Sequence, residues 1–442
     1  MERTSSRHRT DIPLLSFTPT DVDFTWDLEE ECFRHQYDRD LQLVVLWSYA
    51  RTHEDEILAM IAAHFAILGE YAIRWQPERM AHNFERFYAR PIRGRFHKHD
   101  QVGDGELLAV VVEDPSPRYG YRTNVSGLVE LTNLAIAEAK AAARARTGGY
   151  HIHSSNNLSE FFRDTTLLLG PERVNKLIRG AASSGERESY EADLVGSEGW
   201  HGVDELLATL RYTSGYVVLR SDEQLLDGSL KPGDDVDVLC GQALEFAAAA
   251  NAPRYYARAD SARYATVVAG EPFHFDVREI GDGYLDAQWQ RDILRRRGWR
   301  GGIPVPRVDD HFFSLLYHTR IQKPAVKPAH ARTLASLAPR IGLKVDIDER
   351  AGISDDQAAP LLDGYLRAYG YAVPQPTDRH VHRNQPFTRH LTLTRIEEPP
   401  VTAAMRQLWS EARRSRLVRR LTRSRVTASV YRRVRSALRA SR

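Results

Sequence analysis

The sequence predicts an α/β protein in three parts. These are an N-terminal α/β domain over 41–172, a second, α+β domain over 200–375 and a basic amphipathic helix at the C-terminal end. Three observations carry that reading. Apolar runs of strand length alternate with amphipathic helical stretches from Leu41 onward. A stretch richer in Gly, Ser and Glu, 173–199, interrupts the alternation and reads as a linker. The charge is also uneven. The chain carries net +2, but from Arg406 to the end thirteen arginines face the single acid Glu411, a local +12 that leaves −10 for everything before it.

The elements follow in order. Residues 1–40 are polar and weakly patterned, a flexible arm. "LQLVVLW" is a buried strand, and "THEDEILAMIAAHF" an amphipathic helix with Thr52 as N-cap and acids in its first turn. "YAIRW" is a strand, "QPERMAHNFERFYA" a helix with Pro77 in its first turn, and "ELLAVVVED" a strand. "EAKAAARARTGG" is a helix stopped by glycine, "YHIHSS" a short strand, and "NLSEFFRDTTLLLG" a helix closed by Gly170. Beyond the linker, "GVDELLATLRY" is a helix, while "GYVVLRS", "DVDVLC" and "FHFDVREI" are strands. "VDDHFFSLLYHTRIQK" is a helix capped by Asp309 or Asp310, and "QAAPLLDGYLRAYGY" another. The proline-bearing "PQPTDRHVHRNQP" opens a second linker, 376–405, and 406–442 is the arginine tail. No repeat is present.

With 442 residues, 42% hydrophobic and 27% charged, the composition is that of a soluble globular protein of two or three domains. Two cysteines, Cys32 and Cys240, are too few for a disulfide framework and suit a reducing cytoplasm. The basic N-terminus has no apolar run behind it, so no secretory leader is expected, and no stretch approaches the length of a membrane span.

The chemistry concentrates in "KPGDDVDVLC" and "EPFHFDVRE". Alternate residues of a strand share a face, so Asp235 and Asp237 point one way while Val236 and Val238 point into the core. Asp234, after Pro232-Gly233, is turn chemistry. Two carboxylates about 7 Å apart repel each other, and a hard divalent cation such as Mg²⁺ or Mn²⁺ relieves the repulsion. In the second stretch Phe273, Phe275 and Val277 form one face, and His274, Asp276 and Arg278 the other. If the two strands are neighbours, Asp276 completes a three-acid site for phosphoryl transfer, able to take the proton from an attacking hydroxyl. The alternative is a solvated turn followed by an ordinary half-exposed strand.

These segments, with "LLYHTRIQK", resemble the nucleotidyltransferase-fold proteins of the DNA-polymerase-β type. More narrowly they resemble those of bacterial capsule and surface-polysaccharide gene clusters, with fukutin-related and choline-phosphate transferases more distant. The resemblance covers about 200–370. It implies a nucleotidyltransferase-like domain with metal-binding and catalytic roles for Asp235, Asp237 and Asp276, and His318 and Lys323 facing the nucleotide or the acceptor. The family's Gly-Ser pair, which holds the nucleotide phosphates at a helix start, is replaced here by "TSGYVVLRS". Ser214 and Gly215 stand in reversed order before a strand, and Arg220 is the residue expected to serve the phosphates, with Arg278 beside it.

In the N-terminal domain, His151 and His153 share a strand face, and Ser154 leads into a helix N-terminus suited to an anion such as a sugar phosphate. A capped helix after an edge strand is the alternative. His97 and His99 are weak zinc candidates with nothing to tie them to His151. In the tail, Val426, Val430, Val434 and Leu438 recur every four residues among arginines, which suits an anionic membrane surface better than nucleic acid. The expected function is therefore Mg²⁺-dependent transfer of a nucleotidyl or polyol-phosphate group. The donor would be nucleotide-activated and the acceptor a glycan or lipid-linked species, in surface-polysaccharide synthesis at the cytoplasmic membrane face. The alternatives are an RNA-end nucleotidyltransferase and an inactive nucleotide-binding protein.

Overall fold

Apolar patterning decides where each element of the first half lies. A computed structural model of the chain describes residues 39–89, 102–123, 129–180, 186–230, 233–255, 263–378 and 380–392. The N-terminal arm up to residue 38, Cys32, His97, His99 and the arginine tail lie outside the described residues. In chain order the first half holds β1 (Leu41–Trp47), α1 (Glu54–Ala62), β2 (Ala66–Arg74), α2 (Met80–Phe87), β3 (Glu106–Glu113), β4 (Tyr119–Thr123), β5 (Val129–Asn133), α3 (Leu134–Thr147), β6 (Ile152–Ser154), α4 (Leu158–Leu169), α5 (Pro171–Ile178) and β7 (Glu188–Glu191).

Five of these strands form one sheet in the order β6-β1-β3-β2-β7, antiparallel except for β2 beside β7. All seven residues of β1 are buried because the sheet is covered on both faces. Leu43, Val45 and Trp47 pack with Phe84, Phe87, Phe161 and Phe162 on one side. Val44 and Leu46 pack with Ile57, Ile61, Ile136 and Ile152 on the other. A strand buried on both faces loses its alternation and reads as a continuous apolar run.

The second half holds α6 (Val203–Thr213), β8 (Tyr216–Arg220), α7 (Asp222–Asp227), β9 (Asp235–Cys240), α8 (Ala243–Ala249), β10 (Arg263–Val268), β11 (Glu271–Glu279), α9 (Ala287–Arg295), β12 (Gly298–Arg300), β13 (Ile303–Val305), α10 (Val308–Ile321), α11 (Pro328–Leu337), α12 (Asp355–Tyr369) and α13 (Gln385–Thr388). Its sheet runs β10-β11-β9-β8, with β9 and β11 parallel and the outer pairs antiparallel. Tyr216, Val218, Val236, Val238, Phe273, Phe275 and Val277 line the core face, with Leu206, Leu210 and Phe246 of the helices against them. The protein is thus of mixed α/β class, and no helix among the described residues is long and apolar enough to cross a membrane.

Several local expectations are corrected. Thr52 caps nothing: Ser48–His53 is a 3-10 turn, and the helix begins at Glu54. Neither Asp309 nor Asp310 caps α10, whose N-cap is Arg307. Asp310 is instead fully buried, accepting hydrogen bonds from Trp289, Arg296 and Tyr365. The stretch 173–199 carries most of α5 and all of β7, which pairs with β2. The segment after 376 holds α13 and is tied to the turn that follows β11 by Thr377 N–H donating to Asp282 C=O at 2.8 Å.

Candidate active site

The sheet's register aligns the predicted acids. In the parallel pairing of β9 with β11, Asp237 stands opposite Asp276 and Asp235 opposite His274. On the outer sides, Arg263 of β10 stands opposite Asp276 and Arg220 of β8 opposite Asp237. One row, Arg220–Asp237–Asp276–Arg263, therefore crosses all four strands.

Arg220 reaches the row through a bulge. The pairing of Val218 with Val238, continued regularly, would set Leu219 opposite Asp237 and leave Arg220 on the core face with Val218. The register shifts between Val218 and Arg220, and the extra residue turns Arg220 to the Asp237 side.

These residues lie in the wall of a cleft of about 1750 Å³, which Asp235, Tyr284, His318, Lys323, Lys327 and His330 also line. Arg220 donates to both oxygens of Asp237, Nε to Oδ2 at 3.0 Å and Nη2 to Oδ1 at 2.6 Å. Its Nη2 also donates to Tyr284 Oη at 3.0 Å, and that hydroxyl lies 2.7 Å from His318 Nδ1. Arg278 donates to Asp276 Oδ2 at 3.0 Å and to Asp378 Oδ2 at 3.1 Å, with its guanidinium 4.4 Å from the centre of the Tyr284 ring. Asp276 Oδ1 lies 2.9 Å from Arg278 Nη2, but no N–H is directed at it and it accepts no hydrogen bond. Asp235 is half-buried, with Arg263 Nη2 at 3.7 Å.

The electrostatics follow from this crowding. Burial works to raise Asp237, but the Arg220 guanidinium outweighs it and holds the carboxyl below its usual range. Burial, with the neighbouring charge of Asp237, raises Asp276 despite Arg278. Burial and then Arg220 push His318 well below its ordinary value, push His330 down to about 4, and lower Lys323. The two imidazoles are neutral at pH 7, and His330 Nδ1 is buried without a hydrogen-bond partner.

The other predicted residues separate into two groups. Arg220, Arg278, His318 and Lys323 line the cleft with the aspartates. Ser214 does not: it closes α6 at the opposite end of β8 from Arg220, roughly 20 Å of strand away. His151, His153 and Ser154 belong to the other sheet, at or beside β6 on its edge. His153 Nε2 lies 2.7 Å from the buried Asp164, and His151 packs edge-on against Tyr49. The anion expected at the start of α4 is pre-empted by the chain. Asn157 Oδ1 accepts from Glu160 N–H, and Glu160 Oε2 accepts from Asn156 N–H, a capping box that leaves its carboxylate where a phosphate would sit.

Sequence reasoning missed Tyr284, Asp378, Lys327 and His330. The spaced basic residues of "KPAVKPAHAR" were a legible signal for the last two. Nothing local marks Tyr284 or Asp378.

The aspartates suit a hard cation by donor type, since all their ligand atoms are oxygens and Asp276 Oδ1 is buried with its capacity open. The acids do not converge on one point, however. Among the described residues, the group of three or more potential ligands whose donor atoms all lie within 4.8 Å of one another is His153, Glu160 and Asp164. There Arg163 already occupies Asp164, with its Nε 2.9 Å from Oδ1, so that cluster is a buried ion-pair network. Compared with family models, curated proteins and solved structures, the chain matches none.

Proposed function

We propose that this chain is a metal-dependent nucleotidyl- or polyol-phosphate transferase with a nucleotidyltransferase-like second domain. The observation that carries the reading is the row of Asp237 and Asp276 on adjacent parallel strands, with Asp235 two residues away on the same face, in a cleft lined by Arg220, Arg278, Lys323 and Lys327. Acids alone would repel a phosphate and cations alone would only bind one. The two together suit a phosphoryl group whose charge must be held while a bond to phosphorus changes.

Asp235, Asp276 and the remaining lone pairs of Asp237 would hold Mg²⁺ or Mn²⁺, which when bound neutralises phosphate charge. The chain's own residues supply the rest. Lys323 and Lys327 attract the donor's phosphates, and Tyr284 and His318 hold Arg220 in place. Asp276, whose Oδ1 accepts no hydrogen bond, would take the proton of the attacking hydroxyl as the new O–P bond forms and the bond to the leaving phosphate or nucleotide breaks. The cleft exceeds the roughly 300–1,000 Å³ common for one ligand, so it has room for donor and acceptor together.

The setting, surface-polysaccharide synthesis at the cytoplasmic face of a membrane with a glycan or lipid-linked acceptor, rests on the family resemblance and on the basic tail. The test is transfer of label from nucleoside triphosphates or nucleotide-activated polyols, with Mg²⁺ present, to glycolipid extracts. Transfer that stops with chelator and with Asp276→Asn supports the reading. Transfer indifferent to both overturns the chemistry, and label appearing only on RNA ends overturns the acceptor.

A further inference from the structure

Two of the three candidate metal ligands already carry a cation. Asp237 gives both oxygens to Arg220, and Asp276 faces Arg278. Both arginine side chains are more than nine-tenths buried. A divalent cation arriving alone would compete for those carboxylates and leave two buried guanidiniums beside a new positive charge. A buried cation without its partner is strongly unfavourable. Something anionic must take the guanidiniums over, and the forked donors of arginine match a phosphate as well as a carboxylate.

The geometry points to a swap, and it rests on the metal–phosphate reading given above. We infer that Arg220 and Arg278 are the phosphate-binding pair of the cleft, held on Asp237 and Asp276 until substrate arrives. Cation and phosphate therefore enter as a coupled pair, each raising the affinity of the other. Both arginines keep other contacts through the exchange. Arg220 retains Tyr284 Oη at 3.0 Å, and Arg278 retains Asp378 at 3.1 Å and the Tyr284 ring. Arg278 Nε is buried with no hydrogen-bond partner, a donor whose capacity is unused while the arginine stays on Asp276. The swap also gives a reason for the β8 bulge, which turns Arg220 to the carboxylate side.

The experiment measures Mn²⁺ binding to the full chain by electron paramagnetic resonance, with and without sulfate. Sulfate stands in for a phosphate group and chelates the metal only weakly. The expected result is Mn²⁺ binding about tenfold tighter with sulfate than without, within the usual range for coupled sites. Arg220→Gln and Arg278→Gln should each reduce that sulfate dependence, with circular dichroism confirming that they fold. If either variant does not fold, the two wild-type arms decide alone. Wild-type Mn²⁺ affinity that sulfate leaves unchanged overturns the swap, while loss of binding in Asp235→Asn keeps the metal site itself. No Mn²⁺ binding under any condition, including with a non-hydrolysable nucleoside triphosphate, overturns the metal reading and the swap with it.

Discussion

Asp237 is the residue on which function and stability meet. It is the partner of a buried arginine as well as a proposed metal ligand, so its substitution has a cost that Asp235 does not share. Asp237→Asn leaves the buried charge of Arg220 without its partner and should destabilise the protein by about 3 kcal/mol, as breaking a buried pair does. Asp235→Asn, at a half-exposed site 3.7 Å from Arg263, should change stability by less than about 1 kcal/mol. Denaturant unfolding of the two variants checks this, and equal losses would refute it. A second residue makes a pH prediction. Burial raises Asp282 to about 6, above its unfolded value. The folded state then binds the proton more tightly, so this group's contribution to stability falls as pH rises from about 4 to 6. Asp282→Asn removes the titration. Its stability relative to wild type should improve by about 2 kcal/mol between pH 4 and pH 7, and a pH-independent difference would contradict the assignment.

Elements were legible from the sequence wherever one periodicity dominated. The β9 and β11 strands showed their faces because hydrophobic and polar residues alternate cleanly, and the pairing of Asp276 with Asp237 follows from the observed register. Arg220 was placed near the site by resemblance, but its route there through a bulge has no local signature. Strand β7, "ESYE", has the pattern of a linker because it is polar and half-exposed, its place set by its edge pairing with β2 rather than by its own pattern. Asp310 has the sequence position of a cap because it opens a helix, yet α10 is buried almost all round and turns it inward. Tyr284 and Asp378 come from loops whose position only tertiary packing fixes. The two halves are joined by another such residue, Arg86 of α2. It donates to the carbonyls of Val195, Ala248 and Ala249 and to Ser197 Oγ, the alanine carbonyls lying at the negative end of α8. Arg86→Met leaves those buried carbonyls unpaired and should cost about 3 kcal/mol in thermal or denaturant unfolding. A loss below about 0.5 kcal/mol would show that the joint does not depend on it.

At the scale of the whole molecule the charge is divided three ways. An acidic body carries −10, the cleft within it is lined by acids and cations together, and 406–442 adds +12. The basic tail is the part of this distribution that would meet an anionic surface. The full chain is expected to float with vesicles containing anionic lipid and to release them at high salt. A chain ending at residue 405 should stay folded and remain behind. Flotation of the truncated chain would remove the tail from the account without touching the cleft.

Asp235, Asp237 and Asp276 are proposed to hold a divalent cation together with a phosphate-bearing donor. Isothermal titration of a non-hydrolysable nucleoside triphosphate into the protein, with and without Mg²⁺, tests it most directly when wild type is compared with Asp235→Asn and Asp276→Asn. Mg²⁺-dependent binding to wild type is expected, weakened at least about tenfold in each variant, equivalent to about 1.4 kcal/mol. Binding of equal strength in all three proteins, or binding indifferent to Mg²⁺, would contradict it.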